Sequence, residues 1–150
     1  FKPMPKYHDG VLLSNGAKNS PIGKMFIQPQ VQLVSGETVL LDEVIGNDFA
    51  IIAWGVDPKW GLSPETLQQW KTLGVKFIQV IPAVQLQNTQ RQPFEDVITI
   101  GDSGTEIRSW FGSTSDSVVI LRPDRFVAAL AIPQSLENTS QQLFKKLYLK

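Results

Sequence analysis

Few side chains in this 150-residue sequence could carry chemistry. The single histidine, His8, stands beside Asp9, and an imidazole next to a carboxylate is the pairing expected of a general base or a metal ligand. Either role needs convergent partners, and the sequence offers His8 neither a nucleophile nor a second ligand. Asp42 with Glu43, Glu95 with Asp96, and Asp57 alone could work as acid and base only if the fold drew two of them into one cleft; solvated loops are their expected setting. Gly101-Asp102-Ser103-Gly104 has the composition of a phosphate-binding nest ahead of a helix, although a capping turn explains it more simply. Arg122 and Asp124 flank Pro123, and Arg122 reads as an anion contact or, as preferred here, as a structural partner at a hairpin.

The missing residue type excludes more than the present ones suggest. Without cysteine there is no disulfide scaffold, thiolate nucleophile, thiol redox cycle or Cys-ligated metal. Fourteen Lys and Arg balance fourteen Asp and Glu, which removes the field that would draw nucleic acid or an anionic membrane. No apolar run approaches the roughly 18 residues of a membrane span. With 42% hydrophobic and 19% charged residues, the composition is that of one globular domain. Phe1 opens the chain without an initiator Met or a signal-peptide pattern, so a cytoplasmic piece of a longer protein is expected.

The elements that must position these residues follow from pattern. Residues 1–30 are rich in Pro and Gly and read as an irregular arm, leaving 31–150 as the domain. Val31 to Val34 and Thr38 to Leu41 flank Ser35-Gly36 as a hairpin, and the apolar run from Asp48 to Trp54 predicts a central strand covered on both faces. Ser63-Pro64-Glu65 opens a helix over 64–73 that Gly74 stops, with Leu67, Trp70 and Leu73 on its buried face. Val75 to Ile81 is the next strand, which completes a βαβ unit with parallel strands. Ser103 with Glu106 predicts a capping box before a short helix ending at Gly112, with Trp110 on its core-facing stripe. Ser117 to Leu121 and Phe126 to Ile132 form a hairpin about Arg122-Pro123-Asp124-Arg125, and a second capping box, Thr139 with Gln142, precedes a final helix.

This order resembles the thioredoxin fold in a peroxiredoxin-like variant: an α/β protein with a central mixed sheet and flanking helices. Trp54-Gly55-Val56-Asp57-Pro58 stands where thioredoxins carry Trp-Cys-x-x-Cys, so that Gly55 and Pro58 replace the cysteines and no CxxC remains. Thr114-Ser115-Asp116-Ser117 likewise lacks the proline that thioredoxins keep before the hairpin. The scaffold is kept while the low-pKa thiolate chemistry is gone.

A thiol-free domain of this kind resembles the C-terminal domain of class A FAD-dependent aromatic hydroxylases, the monooxygenases of the phenol hydroxylase and 3-(3-hydroxyphenyl)propionate hydroxylase group. Gly16 to Val31, Leu41-Asp42-Glu43-Val44-Ile45-Gly46 with Phe49, Asp102-Ser103-Gly104 and Leu121-Arg122-Pro123-Asp124-Arg125-Phe126-Val127-Ala128 carry the resemblance. The last stretch is similar to the family's Val-Arg-Pro-Asp-Gly-Tyr-Val-Ala, from which Arg125 and Phe126 depart. Gly46, Asp102, Gly104, Arg122, Pro123 and Asp124 are thereby implied to be structural motif residues.

The resemblance implies a parent that uses FAD and NAD(P)H to hydroxylate a phenolic compound. It implies no cofactor in this chain, which has no Gly-x-Gly-x-x-Gly turn. The expected role is an accessory, non-catalytic one, with the FAD and substrate domains of the same polypeptide as partners and a homodimer as a second contact. Trp54, Pro58 and Trp60, on the loop at the C-terminal end of a central strand, form the expected contact surface. The alternative is a free-standing, thiol-free thioredoxin-fold module that binds an aromatic small molecule or a peptide.

Overall fold

The computed structural model describes residues 20–86 and 96–148. A seven-stranded sheet runs through the molecule in the order β2-β1-β5-β4-β3-β6-β7. Its strands are β1 (Gln30–Leu33), β2 (Thr38–Leu40), β3 (Ala50–Trp54), β4 (Lys76–Pro82), β5 (Ile98–Asp102), β6 (Val118–Leu121) and β7 (Val127–Ala131). Strands β3, β4 and β5 are mutually parallel, whereas β1 joins β5, β6 joins β3 and β7 joins β6 in antiparallel fashion. The sheet is therefore mixed, and the βαβ unit is present as its sequence pattern requires.

Alternation along the buried strands divides the core in two. Ala50, Ile52, Ile78, Val80, Ile100, Val119 and Leu121 face α1 (Leu41–Ile45) and α4 (Glu106–Gly112). Ile51, Ala53, Phe77, Val118 and Ile120 face α2 (Pro64–Thr72) and α5 (Leu136–Tyr148). A short α3 (Ala83–Leu86) follows β4 directly. Because β3 and β4 are covered on both sides, their sequences read as nearly continuous apolar runs rather than alternating ones.

Helix α2 starts as predicted: Ser63 Oγ accepts from Thr66 N at 3.2 Å, Pro64 takes the first helical position, and Leu73 caps the end before Gly74. Two capping boxes are corrected. Helix α4 begins at Glu106 with Thr105 in the cap position, and Asp102 rather than Ser103 serves its first turn, accepting from Arg108 N at 3.1 Å. Helix α5 begins at Leu136 after a 3₁₀ turn at Pro133–Ser135, so Thr139 and Gln142 lie inside it rather than at its start.

The described part of the predicted arm is held to the sheet. Gly23 N donates to Val127 O at 2.9 Å, Val127 N to Lys24 O at 2.8 Å and Phe26 N to Arg125 O at 2.8 Å, and Met25 bridges Phe126. Phe26 is buried and meets Trp110 edge-on at 4.7 Å. Chain segment 20–26 thus covers the start of β7, an edge that would otherwise expose unpaired backbone.

The β6–β7 turn explains a departure noted above. Arg125 N donates to Arg122 O at 2.9 Å, and Arg125 sits at φ 74°, where a β-carbon is strained and the related motif has glycine. Its side chain offsets that strain by bonding Asp42, the Gly46 carbonyl and the Pro123 carbonyl. Both Arg125→Gly and Arg125→Ala lose these contacts and only glycine relieves the backbone, so urea unfolding should find the glycine variant more stable than the alanine variant by about 1 kcal/mol. Equal stabilities would show that the turn is unstrained.

Candidate functional site

The parallel strands β3, β4 and β5 end at one edge of the sheet, where ligands of open α/β sheets usually bind. Strand β3 leaves the sheet at Trp54, whose N donates to Ser117 O at 2.9 Å, and Gly55 N is held by Val80 O at 2.8 Å. Asp57 then fixes the loop, with Oδ1 accepting from Lys59 N at 2.9 Å and its carbonyl accepting from Trp60 N at 3.1 Å. Gly61 brings this loop against the β7–α5 connection, since a β-carbon there would lie 3.2 Å from the Pro133 carbonyl oxygen.

Of the three residues expected to form a contact surface, Pro58 is buried, Trp54 is half-buried against the α1/α4 side of the core, and Trp60 is 54% exposed. Trp60 lines a shallow pocket of about 220 Å³ with Val56, Asp57, Pro133 and Gln134. The Pro133–Gln134 wall comes from a turn more than 70 residues downstream, and nothing local in the sequence marks it.

Among the remaining motif residues, Gly46, Arg122, Pro123 and Asp124 make contacts inside the fold. Gly46 ends α1, its N donating to Asp42 O at 3.1 Å and its carbonyl accepting from Arg125. Arg125 therefore joins two of the stretches that carry the family resemblance, 41–46 and 121–128. Arg122 is buried and paired with Asp124, with Arg122 Nε donating to Asp124 Oδ1 at 3.0 Å and Nη2 to Oδ2, next to a buried Pro123. Gly104 is exposed. Asp102 is buried with 4% exposure, and its Oδ1 has no hydrogen-bond partner.

The candidate carboxylates do not converge. Asp42 meets Arg125, and Asp96 lies 3.4 Å from Lys71. Among the described residues no three of His, Cys, Asp and Glu lie together as a metal-binding group, and no helix is long and apolar enough to cross a membrane. His8, Asp9 and Glu95 lie outside the described residues.

One polar cluster has no signature in the sequence because its members come from opposite ends of the fold. Glu137 of α5 accepts from Ser63 N at 2.8 Å and from the Thr66 hydroxyl at 2.6 Å, while Gln141 Nε2 donates to Thr66 Oγ1 at 2.7 Å. The Ser63 N–H, followed by the Thr66 and Ser63 hydroxyls, holds the Glu137 carboxyl below its usual 4.5 against the opposing effect of burial. A lowered folded-state pKa contributes stability that is complete above the unfolded value and is lost as pH falls through the folded one. Urea midpoints should therefore drop below about pH 4.5 more steeply in the native chain than in Glu137→Gln. Identical acid limbs would mean that the cluster does not favour the ionised carboxylate.

The fold and the sequence relatives agree. Solved structures superpose on the chain at low identity: a thioredoxin-like protein from Bacteroides caccae has a TM-score of 0.56 at 16% identity over 80% of this chain and 49% of its own. The C-terminal domain of a Bacteroides fragilis protein reaches 0.63 at 13% identity over 85% of this chain and 99% of its own. These likenesses establish a thioredoxin-like fold. Proteins named 3-(3-hydroxy-phenyl)propionate/3-hydroxycinnamic acid hydroxylase are 53% identical in Shigella sonnei over 95% of this chain, and 52% identical in Klebsiella pneumoniae over 99%. The chain spans only 26% and 27% of their respective lengths. The HcaD C-terminal domain matches residues 23–146, and the chain belongs to that family as a thioredoxin-like domain without thiols.

Proposed function

We propose that this chain is the accessory C-terminal domain of an FAD- and NAD(P)H-dependent hydroxylase of a phenolic compound, and that it is not catalytic by itself. The observation that carries this reading is the mismatch of lengths: identity near 53% runs through 95% of this chain yet accounts for only 26% of the relative. Such a domain stabilises or positions the FAD and substrate domains of its own polypeptide, and contact between two parent chains is the second service it can perform. Dependence on NAD(P)H fits the cytoplasm.

Flavin does not fit this chain. No Gly-x-Gly-x-x-Gly turn occurs in it, and β3 reaches α2 through a nine-residue loop, 55–63, instead of the tight turn that seats a pyrophosphate. Two polar side chains of that loop are used internally, Asp57 on Lys59 N and Ser63 on Thr66 N. No step of the hydroxylation is assigned to these residues.

The test is to purify the full-length gene product and the 150-residue chain separately. The full-length protein should carry flavin and oxidise NAD(P)H when supplied with 3-(3-hydroxyphenyl)propionate or a related phenol, and the 150-residue chain should do neither. Flavin retention or substrate turnover by the 150 residues alone would sink the reading.

A further inference from the structure

We propose that the Trp60 pocket is the seat by which this domain holds the preceding body of its own polypeptide, through one apolar side chain of that body lodged between Trp60 and Pro133. This rests on the reading above that a hydroxylase body precedes the domain. The loop that presents Trp60 is fixed before any partner arrives. Asp57 holds Lys59 N and Trp60 N, Pro58 is buried, and the approach of Gly61 to the Pro133 carbonyl locks the loop onto the β7–α5 turn. Even so, more than half of Trp60 stays in water, and Ile132, next to Pro133, is 40% exposed. A tryptophan carried on a fixed backbone beside an apolar depression has only its two side-chain torsions left to order on binding, and tryptophan is among the residues enriched in binding hot spots.

Size selects the occupant. At about 220 Å³ the pocket is smaller than the roughly 300–1,000 Å³ that hold small-molecule ligands, and it suits a single side chain. A free partner or a second copy needs on the order of 1,000 Å² of buried surface, which one such depression does not supply. A tethered partner does not need it, because a short linker sets an effective concentration of about millimolar. The tether is close by. Residues 20–26 are pinned to the start of β7, five residues before Ile132, a distance of roughly 17 Å along a strand. Nineteen residues precede Ser20, and a fully extended chain of that length reaches about 60 Å.

Amide hydrogen exchange on the full-length protein tests the proposal, comparing wild type with Trp60→Asp, Val56→Asp and Trp60→Phe. In the wild type, residues 55–62 and 132–134 should be protected together with one segment of the preceding body. Both Asp variants should speed exchange in all three places by about tenfold, the equivalent of losing one modest hot spot, while Trp60→Phe keeps the protection. Unchanged exchange at β3 and α2 would show that the Asp variants fold. If flavin content and NAD(P)H oxidation are normal yet the Asp variants exchange like wild type, the pocket is empty and the proposal fails while the hydroxylase reading stands. If Trp60→Asp instead splits a larger assembly into smaller units, the occupant is a second copy and the proposal is equally wrong. A full-length protein without flavin would remove the hydroxylase reading on which the seat depends.

Discussion

Trp70→Ala should cost the domain about 3–5 kcal/mol, the range for removing a large aromatic from a packed core. Trp70 is 1% exposed and lies in the layer between the sheet and α5. Its ring meets Phe49 at 5.8 Å and Phe144 at 4.8 Å, both at steep angles, and its Nε1 donates to Ser140 Oγ at 2.9 Å. Alanine would leave a cavity bordered by three elements that cannot collapse together, together with a buried hydroxyl deprived of its donor. A domain of this size has about 5–15 kcal/mol of total stability and loses roughly 2–4 °C of Tm per kcal/mol, so the melting point should fall by about 6–20 °C. Trp70→Phe, which keeps ring packing but drops the hydrogen bond, should fall much less. Urea unfolding followed by circular dichroism measures both, and a loss below 1 kcal/mol for the alanine variant would show that the α2–α5 layer repacks freely.

The same residue shows why part of the fold was legible in sequence. Helix α2 carries its own start signal, its own stop and a three-residue apolar stripe, so every instruction lies within a dozen residues. Strand β3 was equally plain because burial on both faces leaves an unbroken apolar run. Strand β5 carries no such signal: Val97, Ile98 and Ile100 have the right propensities, but Thr99 and the polar residues before them mask the pattern. Only the sheet reveals why Thr99 is tolerated, since its hydroxyl donates to Gln79 Oε1 at 3.0 Å on the neighbouring strand. The two misplaced capping boxes share a cause. Ser or Thr three residues before Glu or Gln is a local preference, and in α4 and α5 it was overruled by a strand-end carboxylate, Asp102, and by the turn at Pro133.

The candidate site divides along the same line. The loop from Trp54 to Trp60 was legible because it follows a strand whose end is visible, whereas its second wall at Pro133 and Gln134 depends on α5 folding back across the sheet. The Ser63–Thr66–Glu137 cluster was hidden for the same reason. Groups on residues 71 and 74 positions apart meet only once β7 and α5 are in place. Arg125 was visible as a departure from a glycine place, yet the contacts that let it stay, to Asp42 and Gly46, were not.

Asp124→Ala should be the most damaging change outside the apolar core, at about 2–3 kcal/mol, while Arg122→Met with Asp124→Ala together should cost clearly less. Arg122 has a side chain only 7% exposed and Asp124 one 21% exposed, so the pair sits largely out of water at the hairpin tip. The guanidinium lies over the Phe126 ring, 5.2 Å from its centre, and Asp124 Oδ1 also accepts from Phe126 N at 3.2 Å. Deleting the carboxylate takes from a buried cation its two-pronged acceptor and from the turn one of its fixed bonds, so the desolvation already suffered by the arginine loses the compensation that its hairpin partner supplied. Replacing the arginine as well removes that charge, and a linear apolar side chain of similar length can lie against Phe126 in its place. The coupling between the two sites should be favourable by at least 1 kcal/mol and nearly insensitive to salt, because buried pairs are weakly screened. An additive cycle, or a coupling that fades in 1 M salt, would mean that Arg122 is held by something other than its hairpin partner. The anion-contact reading of Arg122, set aside here because Asp124 already occupies the guanidinium fork, would then be the better account of that motif.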